Sequence, residues 1–549
     1  MSSEDSGGSG GRSGGHNSGS GNAGGGRYSG GGNAGSGRNS GGGDAGQRRN
    51  AQGRERNRGG AGGPRGFSGA APSERTRRAD PARLVAFEVL RAVSGEDAYA
   101  NLVLPSRIRH HKLDSRDAGF ATELSYGALR GQGTYDAILA RCVDRPLNQL
   151  DPAILDALRI GVHQLLAMRV PAHAALDQTV GLARAVIGAG PSSLINAVLR
   201  RVTARDLAGW ITELTGSETD ATKIAALEYS HPEWIVRALR QSLVAHGRDA
   251  AEITALLEAD NAAPVVNVVA LPGIGDLAEV LEAGFTAGEL APDSALSSGG
   301  DLGRLPGVRA GSTRVQDVGS QLVARALAAA ELRTNSAAAG QGDTAAGQGG
   351  GRWLDLCAGP GGKAALLAAL AAQSGAFLLA NEPAEHRAKL VRQALSAVPG
   401  DVWQVRTGDG RDLGGQQPNS FDRVLVDAPC TGLGALRRRP EARWRRQPSD
   451  VPALGALQRE LLRSALDAVK PGGVVAYATC SPHPAETIAV VDDVMRKRGD
   501  LELMDAGAVL DSVSLHGDLG SGHGQTAQLW PHVHQTDAMF LALIRKKGN

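Results

Sequence analysis

The sequence is short of cysteine, of long apolar runs and, over its first 78 residues, of lysine and large apolar side chains. Each shortage excludes something. Four cysteines occur in 549 residues, and none stands in a Cys-x-x-Cys pair. That excludes a disulfide framework and a zinc site built on paired thiols, so no metal is expected. No apolar run reaches the ~20 residues needed to cross a bilayer, and the N-terminus lacks the apolar stretch of a secretory signal. A cytoplasmic protein with no membrane partner is the expectation, in a compartment that keeps thiols reduced. Residues 1–78 are Gly/Arg/Ser-rich and cannot bury enough surface to offset ordering entropy, so they are read as a disordered tail. The tail is basic while the whole chain carries only +2, which leaves the remainder mildly acidic. It serves either as a solvated linker or as a loose contact for RNA phosphates.

The remaining length predicts several domain-sized units. Residues 80–215 read as all-helical. Asp80-Pro81 and Asp151-Pro152 are helix starts, and Ile154, Leu155, Leu158, Val162, Leu165 and Leu166 form an apolar stripe. Ser230-His-Pro-Glu-Trp234 marks a junction. Residues 225–332 then read as a linker helix and a small α/β subdomain, with a strand over 265–271 and helices over 275–283 and 320–332. Residues 333–351 form a Gly/Ala/Gln/Thr insertion expected to be flexible. From residue 352 to 549 strands alternate with helices: 353–356, 377–380, 402–406, 424–426 and 474–478. That alternation predicts an α/β fold with a doubly wound, mostly parallel sheet, whose ligands bind at the carboxyl ends of the strands.

The chemistry-bearing residues fall at those ends. The first strand leads into Asp355-Leu-Cys-Ala-Gly-Pro-Gly-Gly-Lys363 and a helix over 364–372. Glycines let backbone approach a ligand, and a helix start offers unpaired N–H groups. Cys357 and Ala364 stand where a phosphate-binding Walker loop requires Gly and Ser or Thr, so that reading is excluded. Glu382 ends the second strand, where a carboxylate can accept from both ribose hydroxyls. Asp409 follows the third, where it can read an adenine amino group. Alone, Glu382 is an ordinary helix-start charge and Asp409 an ordinary turn residue. Together with the Gly loop they describe an adenosine pocket.

Asp427-Ala-Pro-Cys430 ends the fourth strand and Thr479-Cys480 the fifth. A single cysteine after a strand is ordinarily a small buried residue, and Cys357 is left in that class. Two thiols beside a carboxylate fit the methylation of a pyrimidine carbon. A thiolate adding at C6 makes C5 nucleophilic towards a sulfonium methyl, a carboxyl group steadies the polar edge of the ring, and a second acid–base group assists release. On the residues alone, either Cys430 or Cys480 could attack. Amino-group methyltransferases place Pro-Pro-aromatic at the Cys430 turn, which argues for carbon. The Arg437–Arg446 run, with Trp444, is expected on the rim of the site in contact with phosphates. Lys363 is expected either to help there or to cap local carbonyls. His483 and Glu486 are read as polar lining.

With these motifs, residues 80–549 outside the insertion resemble the bacterial 16S rRNA cytosine-5 methyltransferases of the RsmB/Fmu/Sun family, which join a NusB-like domain to a NOL1/NOP2/Sun-type core. Ala98–Leu102, Phe120–Arg130, Leu158–Gly161, Gln164–Leu166 and Asn196–Arg201 resemble the NusB-like helices. Leu529–His532 and Thr536–Phe540 resemble the closing motif. The resemblance implies a Rossmann-like core binding S-adenosyl-L-methionine through Cys357, Ala358, Gly359, Pro360, Gly361, Gly362, Lys363, Glu382, Asp409 and Asp427. It implies Asp427, Cys430 and Cys480 as catalytic residues, with Cys480 the nucleophile and Cys430 assisting release, 16S rRNA as partner, and a monomer. The same chemistry on tRNA and a non-catalytic RNA-binding protein are the alternatives. Two positions depart from the family pattern: Ala538-Met-Phe540 replaces Gly-Phe-Phe, and Glu382 replaces Asp.

Overall fold

The computed structural model describes residues 79–297, 299–333 and 351–548. The expected Gly-rich tail and residues 334–350 of the expected insertion lie outside them.

The expected helix starts form as read. Asp80 accepts from the Arg83 amide at 2.9 Å to cap Pro81–Glu96, and Asp151 accepts from the Ala153 amide at 2.7 Å to cap Pro152–Leu166. Each satisfies an otherwise orphaned N–H at a helix start where proline needs none. Further helices at Ala100–His110, Ser115–Arg130, Gln132–Cys142, Ala172–Val186 and Ser192–Val202 close around a core that includes Leu90, Leu124, Ile138, Leu158 and Leu199. The helical run goes past residue 215. Leu207–Thr215 and Ala221–Glu228 each start on an Asp cap, Asp206 and Asp220, and Trp210 returns to the core with its indole donating to the Val202 carbonyl.

The helix expected after Ser230 spans Glu233–Ala245, followed by Ile253–Asn261. The small subdomain carries strands β1 (Asn267–Ala270), β2 (Thr286–Ala287), β3 (Ser294–Leu296) and β4 (Thr313–Val315), in the antiparallel order β2-β3-β1-β4. Only β1 was legible as a strand. The others have two or three residues, too few to show a period of two.

The large sheet contains β5 (Arg352–Asp355), β6 (Phe377–Glu382), β7 (Trp403–Thr407), β8 (Phe421–Asp427), β9 (Val469–Thr479), β10 (Leu501–Met504), β11 (Gly522–His523), β12 (Thr526–Gln528) and β13 (Phe540–Lys546). Its order is β11-β12-β13-β9-β8-β5-β6-β7, with β10 added to β13. The five strands β5 to β9 are parallel, as expected; β10 to β13 add an antiparallel flank. The strand order reverses between β5 and β8, which opens a crevice at their carboxyl ends. Both faces are covered. Along β9, Val474, Ala476 and Ala478 enter one core while Val475 and Tyr477 enter the other, as a period-two strand requires.

The Arg437–Arg446 segment corrects the phosphate-rim expectation. Arg443 is fully buried and donates to the carbonyls of Arg130, Ser230 and Asp260 and to Asn261 Oδ1. Arg445 donates to the carbonyls of Val93 and Ala98, and Glu441 accepts from the Ala100 amide. Arg439 and Arg445 both stack on Tyr99. Arg437 and Arg438 pair with Asp317 and Asp537. The run therefore fastens the N-terminal helices to the sheet. An apolar cluster shared by Leu239, Leu243, Leu257, Leu433, Leu436 and Trp530 continues this junction.

Arg443→Met should strand four acceptors and lower stability by about 3 kcal/mol or more. Arg439→Ala, which removes only ring stacking, should cost less than about 1 kcal/mol. Urea unfolding of both variants checks the ranking.

Candidate active site

The expected site residues all occupy the carboxyl edge of the parallel strands, because β5 to β9 run the same way. Asp355 ends β5, and the loop over Leu356–Gly361 turns into helix Gly362–Gln373. Neighbouring strands pin the loop: the Ala358 amide donates to Asn381 O and Asn381 Nδ2 to Leu356 O. Gly361 has φ +111°, a conformation L side chains avoid. A Cβ on Gly359 would stand 2.1 Å from Glu382 Oε2, so that carboxylate lies directly against the loop backbone. Glu382 is buried, and its Oε1 accepts from the Ala384 amide at 3.1 Å. Arg387 donates to Gly359 O at 2.8 Å. Pro360 and Gly362 complete the turn, and Cys357 lies behind it, its thiol pushed well up by burial and then by the surrounding carboxylates.

Asp409 follows β7 as expected, but its carboxylate is shared with Arg411. It accepts from the Arg411 amide at 2.9 Å and from Nη2 at 2.6 Å, and these bonds hold it below its ordinary value. Lys363 neither reaches outward nor caps a carbonyl. Its Nζ lies 2.9 Å from Asp427 Oδ2. Burial opposes the ammonium charge, yet Asp427 brings its net shift upward.

The two thiols meet. Cys430 Sγ lies 3.5 Å from Cys480 Sγ. With Cys430 as donor, this hydrogen bond holds the Cys480 thiol below its ordinary value, against burial and Asp427 and with help from Lys363. The same contact, then burial, pushes Cys430 up. The arrangement thus makes two unequal sulfurs, one disposed to ionise and one to keep its proton. Cys430, Cys480, Asp427 and Lys363 form one group, and the loop with Glu382 forms a second beside it. The loop after Cys430 is packed: the Gly434 amide donates to Cys480 O, and Leu433 and Leu436 are buried.

Two features were not anticipated. Asp355 is buried with Oδ2 unpartnered, and burial, reinforced by the Asp427 charge, pushes it up to about 7. Glu486, read as polar lining, is a fully buried acceptor beside both thiol loops. Neither position carries a local signal, since a carboxylate's burial depends on strands distant in sequence. An unpartnered buried oxygen, a glycine cradle closed by a carboxylate and a free helix start suit a polar nucleoside-bearing ligand.

Similarity to known proteins follows the same division. A model described as 16S rRNA methyltransferase RsmB/F matches residues 344–545, and a NusB family model matches residues 80–204. A Mycobacterium tuberculosis protein whose name goes no further than methyltransferase is 47% identical over 476 residues, 86% of this chain and 98% of that one. The ribosomal RNA small subunit methyltransferase B of Pseudomonas putida is 33% identical over 420 residues, covering 74% and 87%. The crystal structure of PH0851 shares the fold, with a TM-score of 0.69 at 21% identity over 85% of this chain and 99% of that one.

Asp355 supplies a pH test. Its folded value lies above the ordinary carboxylate value, so the native state binds the extra proton and stability falls as pH rises from about 4 to 7. Asp355→Asn should lack this component, and the stability difference from wild type should change by roughly 4 kcal/mol across that window. Denaturant unfolding at pH 4, 5.5 and 7 reads it; parallel profiles would assign Asp355 an ordinary value.

Proposed function

Because the chain belongs to the RsmB/F family of 16S rRNA methyltransferases, we propose that it methylates C5 of a cytosine in 16S rRNA through a covalent adduct between Cys480 and C6. The observation that carries this reading is the pair of unequal sulfurs 3.5 Å apart beside an Asp–Lys pair. S-adenosyl-L-methionine, when bound, supplies the electrophilic methyl group. Gly359, Gly361 and the start of helix Gly362–Gln373 would cradle it, with Glu382 at the ribose and Asp409, shared with Arg411, towards the base.

The protein's own residues prepare the cytosine. Cys430 donates to Cys480 and favours the thiolate form of that sulfur. Cys480 adds to C6, and the ring electrons move towards C5 and N3. Asp427, oriented by Lys363, accepts from the N4 amino group, and the Lys363 ammonium beside it offsets the negative charge that develops at N3. A stacked base is out of reach of both sulfurs, so the target leaves its stack. Once C5 carries its methyl group, water acting as base takes the C5 proton, the C5–C6 double bond re-forms and the C6–S bond breaks to release Cys480 as a thiolate. Cys430 aids that departure by hydrogen-bonding the sulfur as it regains charge. The helical region over 80–215 is assigned to holding RNA and residues 352–549 to transfer, with the cytoplasm, where ribosomal RNA is found, as the place of action.

Tritiated-methyl transfer to protein-free 16S rRNA and to tRNA tests the substrate, followed by mapping of 5-methylcytosine. Label in 16S rRNA at a cytosine C5 is expected. Label confined to tRNA would move the substrate, and label in neither would leave an RNA-binding protein. Cys480→Ala should abolish transfer, by about 10⁴-fold or more, while retaining cofactor affinity. Cys430→Ala should accumulate an RNA-linked protein that migrates slowly on a denaturing gel.

A further inference from the structure

Glu486 lies six residues after Cys480, at the end of the short turn Pro484–Glu486, and is fully buried. Its carboxylate accepts four hydrogen bonds, all from neutral donors. Oε1 takes the Thr431 amide at 2.8 Å and Gln458 Nε2 at 3.2 Å. Oε2 takes Ser481 Oγ at 2.7 Å and Thr431 Oγ1 at 2.5 Å. Thr431 directly follows Cys430, and Ser481 directly follows Cys480. Their hydroxyls also meet, at 3.1 Å. Gln458 reaches from helix Asp450–Ala468 to the carbonyl of Pro429, the residue before Cys430. The turn itself is held from β9, where Tyr477 donates to the Glu486 carbonyl at 2.7 Å. One carboxylate therefore bonds to the residue after each thiol, and through Gln458 to the residue before one of them.

We propose that Glu486 is a positioning residue that sets the separation of Cys430 and Cys480. It touches neither sulfur and acts on both through Thr431 and Ser481. A buried carboxylate without its donors would be costly, so the four bonds form together and fix the two loops as one piece. A slip of about an ångström between the sulfurs would weaken the Cys430 donation to Cys480. That loss would reach two steps: formation of the Cys480 thiolate and its departure from the methylated ring. The second effect rests on the proposed covalent mechanism; the first does not.

The test uses the full chain with Glu486→Gln, Glu486→Ala, Ser481→Ala and Thr431→Val. Iodoacetamide alkylation is followed against pH, with the Cys430 and Cys480 peptides quantified separately by mass spectrometry. In wild type Cys480 should react at lower pH than Cys430. In Glu486→Ala the Cys480 midpoint should rise by about one pH unit, and the preference for Cys480 should shrink; Glu486→Gln, which retains one acceptor oxygen, should fall between. Turnover should fall by about 100-fold with the RNA KM little changed, and the RNA-linked fraction should rise. A folded Glu486→Ala, judged by unchanged cofactor affinity, with wild-type alkylation midpoints would overturn the proposal. If that variant does not fold, Ser481→Ala and Thr431→Val carry the same expectation in smaller measure, and wild-type midpoints in both would overturn it. Alkylation needs no RNA, so a failure of the cytosine reading leaves this result standing, and a wild-type midpoint leaves the cytosine reading standing.

Discussion

The parallel pairing of β8 with β9 is the constraint on which the site depends. Its register sets Asp427 opposite Ala478, and the Ala428 amide donates to the Ala478 carbonyl at 2.9 Å just beyond it. Two chains leaving neighbouring strands in step have only a few residues in which to diverge. The sulfurs therefore arrive side by side although 50 residues separate them in sequence. A slip of one residue in either strand would turn its side chains to the opposite face and separate the pair. The strands resist that slip because both their faces are buried, Val475 and Tyr477 in one core, Val474 and Ala476 in the other.

The electrostatics follow from that placement. Removing a thiol from water ordinarily raises its pKa, and Cys357, a few residues from the same crevice, shows this behaviour. Cys480 departs from it because a second thiol donates to it and Lys363 stands near, outweighing burial and Asp427. The asymmetry between two chemically identical side chains is created by their surroundings.

Much of this is legible in the sequence. The alternation of apolar runs with helical stretches located all five parallel strands, and the helix caps Asp80 and Asp151 formed where expected. The motifs at the strand ends lay where an open α/β sheet gathers its ligands. What the sequence hid was long-range. The antiparallel strands β10 to β13 are short or lie after irregular turns, and they join the parallel sheet through β13, whose partner β9 is distant in sequence. Glu486 looks like any acidic residue in a Pro-rich turn until Thr431 and Ser481 close on it. The arginine run misled because charge density at the rim of a site ordinarily means solvent or phosphate. Here backbone carbonyls of the N-terminal helices offer enough acceptors to bury Arg443 completely.

That burial bears on modularity. Two family models divide the chain in sequence, with one ending at residue 204 and the other beginning at residue 344. Physically the seam is elsewhere. Leu433 and Leu436, a few residues past Cys430, share an apolar cluster with Leu239 and Leu257, and Arg445 satisfies carbonyls at the turn between the first two helices. Excising the catalytic half would expose that cluster and loosen the chain that carries one of its own sulfurs. The helices are in this sense the back wall of the segment that carries Cys430.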